Sequence, residues 1–95
     1  MFTHAVFFRL KPECKDQAEQ LVAKILDMKG KIPGLREIQA GVDVVQSARS
    51  YDVGLIAQLD DLASMQSYQV HPVHQELLKF VGQVVESSVA VDFES

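Results

Sequence analysis

Bulky apolar residues recur at every second position within residues 3–10, which is the spacing of a β-strand. One face of this segment carries a bulky row formed by His4, Val6, Phe8 and Leu10. The opposite face presents Ala5 and Phe7. Because both faces carry apolar bulk, we expect the strand to be covered on both sides.

The next segment follows a helical spacing. Its apolar positions step by four and three residues and are Cys14, Ala18, Leu21, Ile25, Met28 and Ile32. This stripe is typical of an amphipathic helix. We expect the helix to end at Ile32, because Pro33 and Gly34 follow.

The rest of the chain predicts three strands and a broken helix. Alternation favours strands over residues 35–45 and 51–59, with the polar turn QSARS between them, and a last strand at SSVAVDF. Asp60 and Asp61 suit a helix N-terminus, where a carboxylate opposes the helix dipole favourably. Two helical pieces then flank Pro72. The order β-α-β-β-α-β predicts one α+β, ferredoxin-like domain over residues 1–95, with both helices on one face of a four-stranded antiparallel sheet.

The second face of the predicted sheet has no cover within the chain. Ala5 and Phe7 lie on it, and no further segment remains to shield them. The sheet of a second copy would shield them, and two-fold homodimers are the commonest closed assemblies. We therefore expect a homodimer in which the two sheets meet face to face.

Composition excludes several classes of partner. The 95 residues carry a net charge of −4 and a pI near 5.2, without a run of lysine or arginine. This argues against nucleic-acid and anionic-membrane surfaces. The single cysteine, Cys14, excludes an internal disulfide, and no apolar run suits export or membrane insertion. We expect a cytoplasmic protein.

Two of the three histidines surround Pro72 in the stretch SYQVHPVHQELL. His71 precedes the proline directly, which places it in an extended or capping conformation. Leu78, Val81 and Val85 follow His74 at intervals of four, three and four residues, which is the spacing of one helix face. Because this face is apolar, His74 is predicted to point inward. His4 lies on the bulky face of the first strand, and Tyr68 lies one helical turn before the break. These side chains are therefore expected to converge beneath the helices.

The converging groups are suited to proton transfer. An imidazole has a pKa of about 6.5, close to neutral pH, so His74 is our candidate general base. Tyr68 is the candidate donor to an enolate oxygen, and His4 could orient His74, hold the substrate or relay protons. A structural role is as well supported for His74 and Tyr68, and His71 suits capping better than catalysis.

The expected ligand pocket is apolar. Its candidate ligand-binding residues are Val6, Phe8, Val53, Leu55, Met65 and His71. We expect no metal and no other cofactor, because Asp92 and Glu94 do not have a recognisable ligand spacing with the histidines.

Several motifs carry a family resemblance. They are HAVFFRLK, IPGL followed by AGVDV, YDVGLIAQLDD, SYQVHPVH and the closing VDF. Together they resemble the stress-responsive A/B barrel domain family, and the Y-x-x-H-P-x-H pattern from Tyr68 to His74 is the most specific part. The resemblance implies a ferredoxin-like protomer and a dimeric α/β barrel. Similar barrels include polyketide cyclases of the olivetolic acid cyclase type, which use residues at the positions of His74 and Tyr68 with the early histidine nearby.

Three functional hypotheses follow. The one we favour is a dimeric protein whose small apolar pocket binds an aromatic or polyketide-like ligand. The alternative is a cofactor-independent cyclase or lyase that uses His74 as general base with Tyr68 and His4. A second alternative is a non-catalytic interaction module in which the histidines only secure the helix joint.

Overall fold

A computed structural model describes all of residues 1–95. In chain order the elements are β1 (Phe2–Leu10), a 3₁₀ helix (Pro12–Gln17), α1 (Ala18–Leu26), β2 (Leu35–Val42), β3 (Val53–Leu59), α2 (Leu62–Val70), α3 (Pro72–Val84) and β4 (Val85–Glu94). The four strands form one antiparallel sheet in the order β2-β3-β1-β4. This topology confirms the ferredoxin-like α+β fold, because β1 lies between β3 and β4 as the two crossovers require.

The core lies between the helices and one face of the sheet. From β1 it contains Val6, Phe8 and Leu10, as the alternation predicted. The predicted helical stripe is also buried throughout, namely Cys14, Ala18, Leu21, Ile25, Met28 and Ile32. The α-helix itself is shorter than expected, since turns follow Leu26. Gly30 and Gly34 have φ angles of +79° and +85° there, a left-handed conformation that glycine adopts without a steric penalty.

The break at Pro72 is confirmed. Asp61 caps α2 by accepting a hydrogen bond from the Ser64 N–H at 2.8 Å. His71 is extended between α2 and α3, and its Nδ1 accepts from the Val73 N–H at 3.1 Å. His71 thus satisfies one of the free N–H groups at the start of α3.

Three sequence-based boundaries were wrong. β2 ends at Val42 and β3 begins at Val53, so each strand is shorter than predicted. One more backbone hydrogen bond, from the Asp43 N–H to the Asp52 carbonyl oxygen at 2.8 Å, follows the paired strands, and the connection then turns, with Gln46 at a φ angle of 55°. β4 begins at Val85, directly after α3, so Val85 is not part of the helix.

The predicted inward stripe of α3 was also wrong in part. Leu78 is 42% exposed, whereas Leu77 and Val84 are buried. The side of α3 that faces the sheet therefore carries Leu77 and Val84, each one residue before the predicted Leu78 and Val85. Both rows follow a spacing of four and three residues, so the spacing alone does not distinguish them. His74 lies beside the buried row and is half-buried.

The sheet face opposite the helices has no cover within the chain, as predicted. Its exposed apolar side chains are Phe7, Ile56, Val89, Val91 and Phe93. They come from three neighbouring strands, so they form one continuous apolar surface. No helix of the structure has the length and apolar character needed to cross a membrane.

Candidate functional site

Three of the candidate residues lie together at one end of the core. The Tyr68 ring, on α2, is 4.4 Å from the His74 ring on α3 and 5.9 Å from the His4 ring on β1, measured between centroids. The extended joint at His71 makes this possible, because it turns the chain so that α3 returns His74 to the ring of Tyr68. We call these three residues the His4–Tyr68–His74 cluster.

Tyr68 is completely buried, and its hydroxyl has no hydrogen-bond partner in the protein. Burial raises the pKa of Tyr68 to about 12. The hydroxyl therefore keeps its proton at neutral pH and is available as a donor. A buried hydroxyl without a partner costs free energy, so its presence points to a group that binds it.

His74 is arranged as a neutral base. Its Nδ1 is 3.1 Å from the carbonyl oxygen of Gln69. Because a carbonyl oxygen only accepts, Nδ1 carries the hydrogen and Nε2 carries the free lone pair. Burial, the largest cause, lowers the pKa of His74 below its ordinary value; the Gln69 hydrogen bond raises it and the nearby His4 lowers it further. The imidazole is thus neutral at neutral pH.

His4 is held by a residue that the sequence analysis did not assign to the site. Its Nδ1 contacts the Oδ1 of Asp92, which lies directly opposite on β4. The carboxylate fixes the hydrogen on Nδ1 and leaves the lone pair on Nε2. The ferredoxin-like topology pairs the first strand with the last, so it could have indicated that VDF lies near the start of the chain, but the register that sets Asp92 opposite His4 came from the structure.

The predicted apolar lining lies in the packed core. Val6 pairs with Leu55 and Phe8 pairs with Val53 across β1 and β3, and all four are buried. They form the floor beneath the helices, and Val53 also lines a separate cleft with Phe7, Tyr51 and Gly54. Met65 is part of the core and also lines an open cleft between α2 and the ends of β1 and β4. His71 caps the N-terminus of α3.

An open cleft of about 420 Å³ lies beside the cluster, between α2 and the paired ends of β1 and β4. Its lining residues are Phe2, Leu62, Met65, Gln66, Gln69, Asp92, Phe93 and Glu94. Asp92 belongs to the cleft and also contacts His4, so the cleft adjoins the cluster. Its size is that of a small-molecule site. No group of three or more His, Cys, Asp or Glu side chains is arranged to hold a metal ion.

The fold and the histidine–tyrosine cluster define a ferredoxin-like α+β domain with a polar site at one end of its core. The chain belongs to the family of the stress responsive A/B barrel domain, whose pattern matches residues 2–95.

Solved structures share this fold over nearly the whole chain. A dimeric ferredoxin-like protein of unknown function from Thermobifida fusca is 29% identical, with a TM-score of 0.88 over 99% of this chain and 90% of that one. A dimeric protein of unknown function from Bacteroides fragilis is 25% identical, with a TM-score of 0.88 over 99% and 95%. A hydroxynitrile lyase from Passiflora edulis is 20% identical, with a TM-score of 0.82 over 97% and 90%, a likeness of fold alone. No curated protein sequence matches the chain.

Proposed function

We propose that the protein binds a small apolar or aromatic carbonyl compound at the His4–Tyr68–His74 cluster. The observation that carries this proposal is the buried Tyr68 hydroxyl, which has no partner in the protein. A carbonyl oxygen of a ligand would accept its hydrogen bond and remove the cost of leaving it unpaired. The apolar side chains of Phe2, Leu62 and Met65 would contact the body of the ligand in the adjoining cleft.

The state of His74 favours a second candidate function, which is proton transfer on the bound carbonyl compound. Its neutral imidazole can take a proton from the carbon beside the carbonyl group. The electron pair left on that carbon moves to the carbonyl oxygen, and the Tyr68 O–H stabilises the resulting enolate. The imidazolium then returns its proton to carbon or to a leaving group. This is the chemistry of a cofactor-independent cyclase or lyase.

His4 and Asp92 would support this step. The carboxylate of Asp92 accepts from Nδ1 of His4 and so orients the ring. His4 could therefore hold the substrate or relay a proton from solvent, since Asp92 is partly exposed. The hydroxynitrile lyase from Passiflora edulis has the same fold, but the proposal for this chain rests on its own side chains.

We further propose that the protein acts as a homodimer in the reducing cytosol. The uncovered apolar sheet face supports this assembly, and the relatives from Thermobifida fusca and Bacteroides fragilis are dimeric. The only cysteine, Cys14, is buried and free, which suits a reducing compartment.

Both candidate functions are tested with one probe, phenylacetone. Binding is measured from chemical-shift changes of the His74 and Tyr68 resonances in nitrogen–proton NMR spectra. Proton transfer is measured as exchange of the methylene protons of phenylacetone for deuterium in D₂O. We expect the rate to rise with pH as His74 loses its proton and to level off, with a midpoint below about 6.5, because burial lowers the pKa of His74.

The variant His74→Ala should lose the exchange activity while remaining folded. His71→Asn is the matched control, because it removes an imidazole outside the cluster and keeps a capping side chain. Shift changes without catalysed exchange would leave binding as the function and reject proton transfer. If phenylacetone and other small ketones perturb neither His74 nor Tyr68, the histidines are structural and the interaction-module hypothesis stands.

A further inference from the structure

The cleft beside the cluster has charges of only one sign. Of the residues that line it, Asp92 and Glu94 are acidic and none is a lysine or arginine. The two acids point to the same side of β4, because they are two residues apart on one strand. A ligand that enters the cleft therefore meets two carboxylates beside the apolar floor.

The lysine and arginine side chains of the neighbouring helices and of β2 do not compensate these carboxylates. Helix α2, which forms the opposite wall, contains no charged residue between Leu62 and Val70. On α3, Lys79 pairs with Glu76 at 2.9 Å on the outer surface. The guanidinium of Arg36 pairs with Asp60 through two hydrogen bonds of 2.6 and 2.9 Å.

Two groups next to the cleft can carry positive charge. One is His4, which contacts Asp92. The other is the Met1 ammonium, which donates to the carbonyl oxygen of Ser95 at 3.1 Å. Neither contacts Glu94. Glu94 thus forms no ion pair within the protein and is free to act on a ligand.

We propose that this cleft selects its ligand by charge, accepting neutral or cationic carbonyl compounds and excluding carboxylates and phosphates. The inference rests on the proposed function, because it concerns the ligand of the same site. The amide side chains of Gln66 and Gln69 can donate to and accept from neutral polar groups, so they suit hydroxyl, ketone and amine substituents. An anionic substituent would lie beside Asp92 and Glu94, and the two nearby groups that can carry positive charge are already bonded, His4 to Asp92 and the Met1 ammonium to Ser95.

Three aryl methyl ketones of nearly equal size test this selection. They are acetophenone, which is neutral, para-(aminomethyl)acetophenone, which is a cation, and para-acetylbenzoate, which is an anion. Dissociation constants are measured from the His74 and Tyr68 shifts near neutral pH and at low ionic strength. We expect the cation to bind about tenfold more tightly than the anion, and added salt to reduce this ratio.

The variant Glu94→Gln removes one carboxylate without touching the His4–Asp92 contact. It should reduce the cation-to-anion ratio by about threefold, as expected for one exposed charge. Glu76→Gln is the matched control, because it makes the same change on the outer face of α3 and should leave the ratio unchanged.

The outcomes separate the two proposals. Equal affinity for the three ketones, or tighter binding of para-acetylbenzoate, would overturn the charge selection and leave the proposed function intact. If Glu76→Gln and Glu94→Gln change the cation-to-anion affinity ratio equally, the net charge of the protein sets this ratio and the cleft does not. That result would also overturn the charge selection. If no ketone shifts His74 or Tyr68, the proposed function itself fails.

Discussion

At the scale of single residues, Tyr68 shows a conflict between stability and binding. Its ring fills the space between two imidazoles and is fully buried, which contributes to the core. Its hydroxyl, by contrast, loses its contact with water and gains no bond within the protein. A group that costs folding free energy in the free protein is typical of a site that is completed by a ligand.

The variant Tyr68→Phe separates the two effects. We expect it to stabilise the free protein by about 1 kcal/mol, because it removes a buried donor that has no partner and keeps the ring. It should also weaken binding of phenylacetone. Urea unfolding and NMR titration measure the two quantities.

Tyr51→Phe provides the control for this prediction. Tyr51 is only partly buried and packs beneath the guanidinium of Arg9, 4.3 Å from the ring centroid. Its hydroxyl has no role in the cluster, so the substitution should change neither binding nor stability appreciably. A loss of stability in Tyr68→Phe would mean that the hydroxyl has a partner, such as an ordered water molecule, and would remove the main support for the ligand site.

At the scale of elements, the joint between α2 and α3 sets the position of His74. Pro72 begins α3 and His71 caps it through Nδ1, so the direction of α3 depends on both residues. The carbonyl of Gln69, near the end of α2, accepts from the ring of His74 and from the side chain of Gln75 at 2.7 Å. The joint therefore orients the proposed base as well as the helix.

Removal of the cap should destabilise the protein without removing the cluster. We expect His71→Ala to cost about 1 kcal/mol of unfolding free energy, because the Val73 N–H loses its acceptor. His71→Asn should restore most of this loss, since asparagine is a good capping residue. Urea unfolding checks both variants. Equal stability of His71→Ala and the original protein would show that the capping bond contributes little.

Local periodicity accounts for what could be predicted at this scale. The stripe from Cys14 to Ile32 and the alternation in β1 follow from residues close in sequence, and both were correct. The predicted burial of Leu78 was wrong, because Leu77 and Leu78 fit the same helical spacing equally well. Only packing against the sheet shows which of the two is buried. The contact of His4 with Asp92 required the strand register, which depends on residues 88 positions apart.

At the scale of the whole molecule, the uncovered sheet face is an extended apolar surface. Phe7, Val89 and Val91 are exposed on neighbouring strands, and they belong to the face opposite the core. A surface of this kind on a small protein marks an interaction site. A second copy covers it most simply, since the same patch on both protomers can meet across a two-fold axis.

A charge on this face should separate the protomers. We expect Val91→Glu to give a monomer in sedimentation or light-scattering experiments, because the carboxylate would be buried against an apolar partner. Val91 is 61% exposed in the single chain, so a glutamate at this position would remain in contact with water in the protomer and should not destabilise its fold. Ser88→Glu is the control, because it places the same charge on the opposite face of β4 and should leave the dimer intact.

The monomeric variant also tests where the site resides. His4, Tyr68, His74 and Asp92 all come from one chain, and their contacts do not involve the open face. A folded Val91→Glu monomer should therefore still bind phenylacetone, as seen from shifts of His74 and Tyr68. If binding disappears while circular dichroism shows an intact fold, the partner contributes to the site. A dimer that persists in Val91→Glu would mean instead that the protomers meet through another surface.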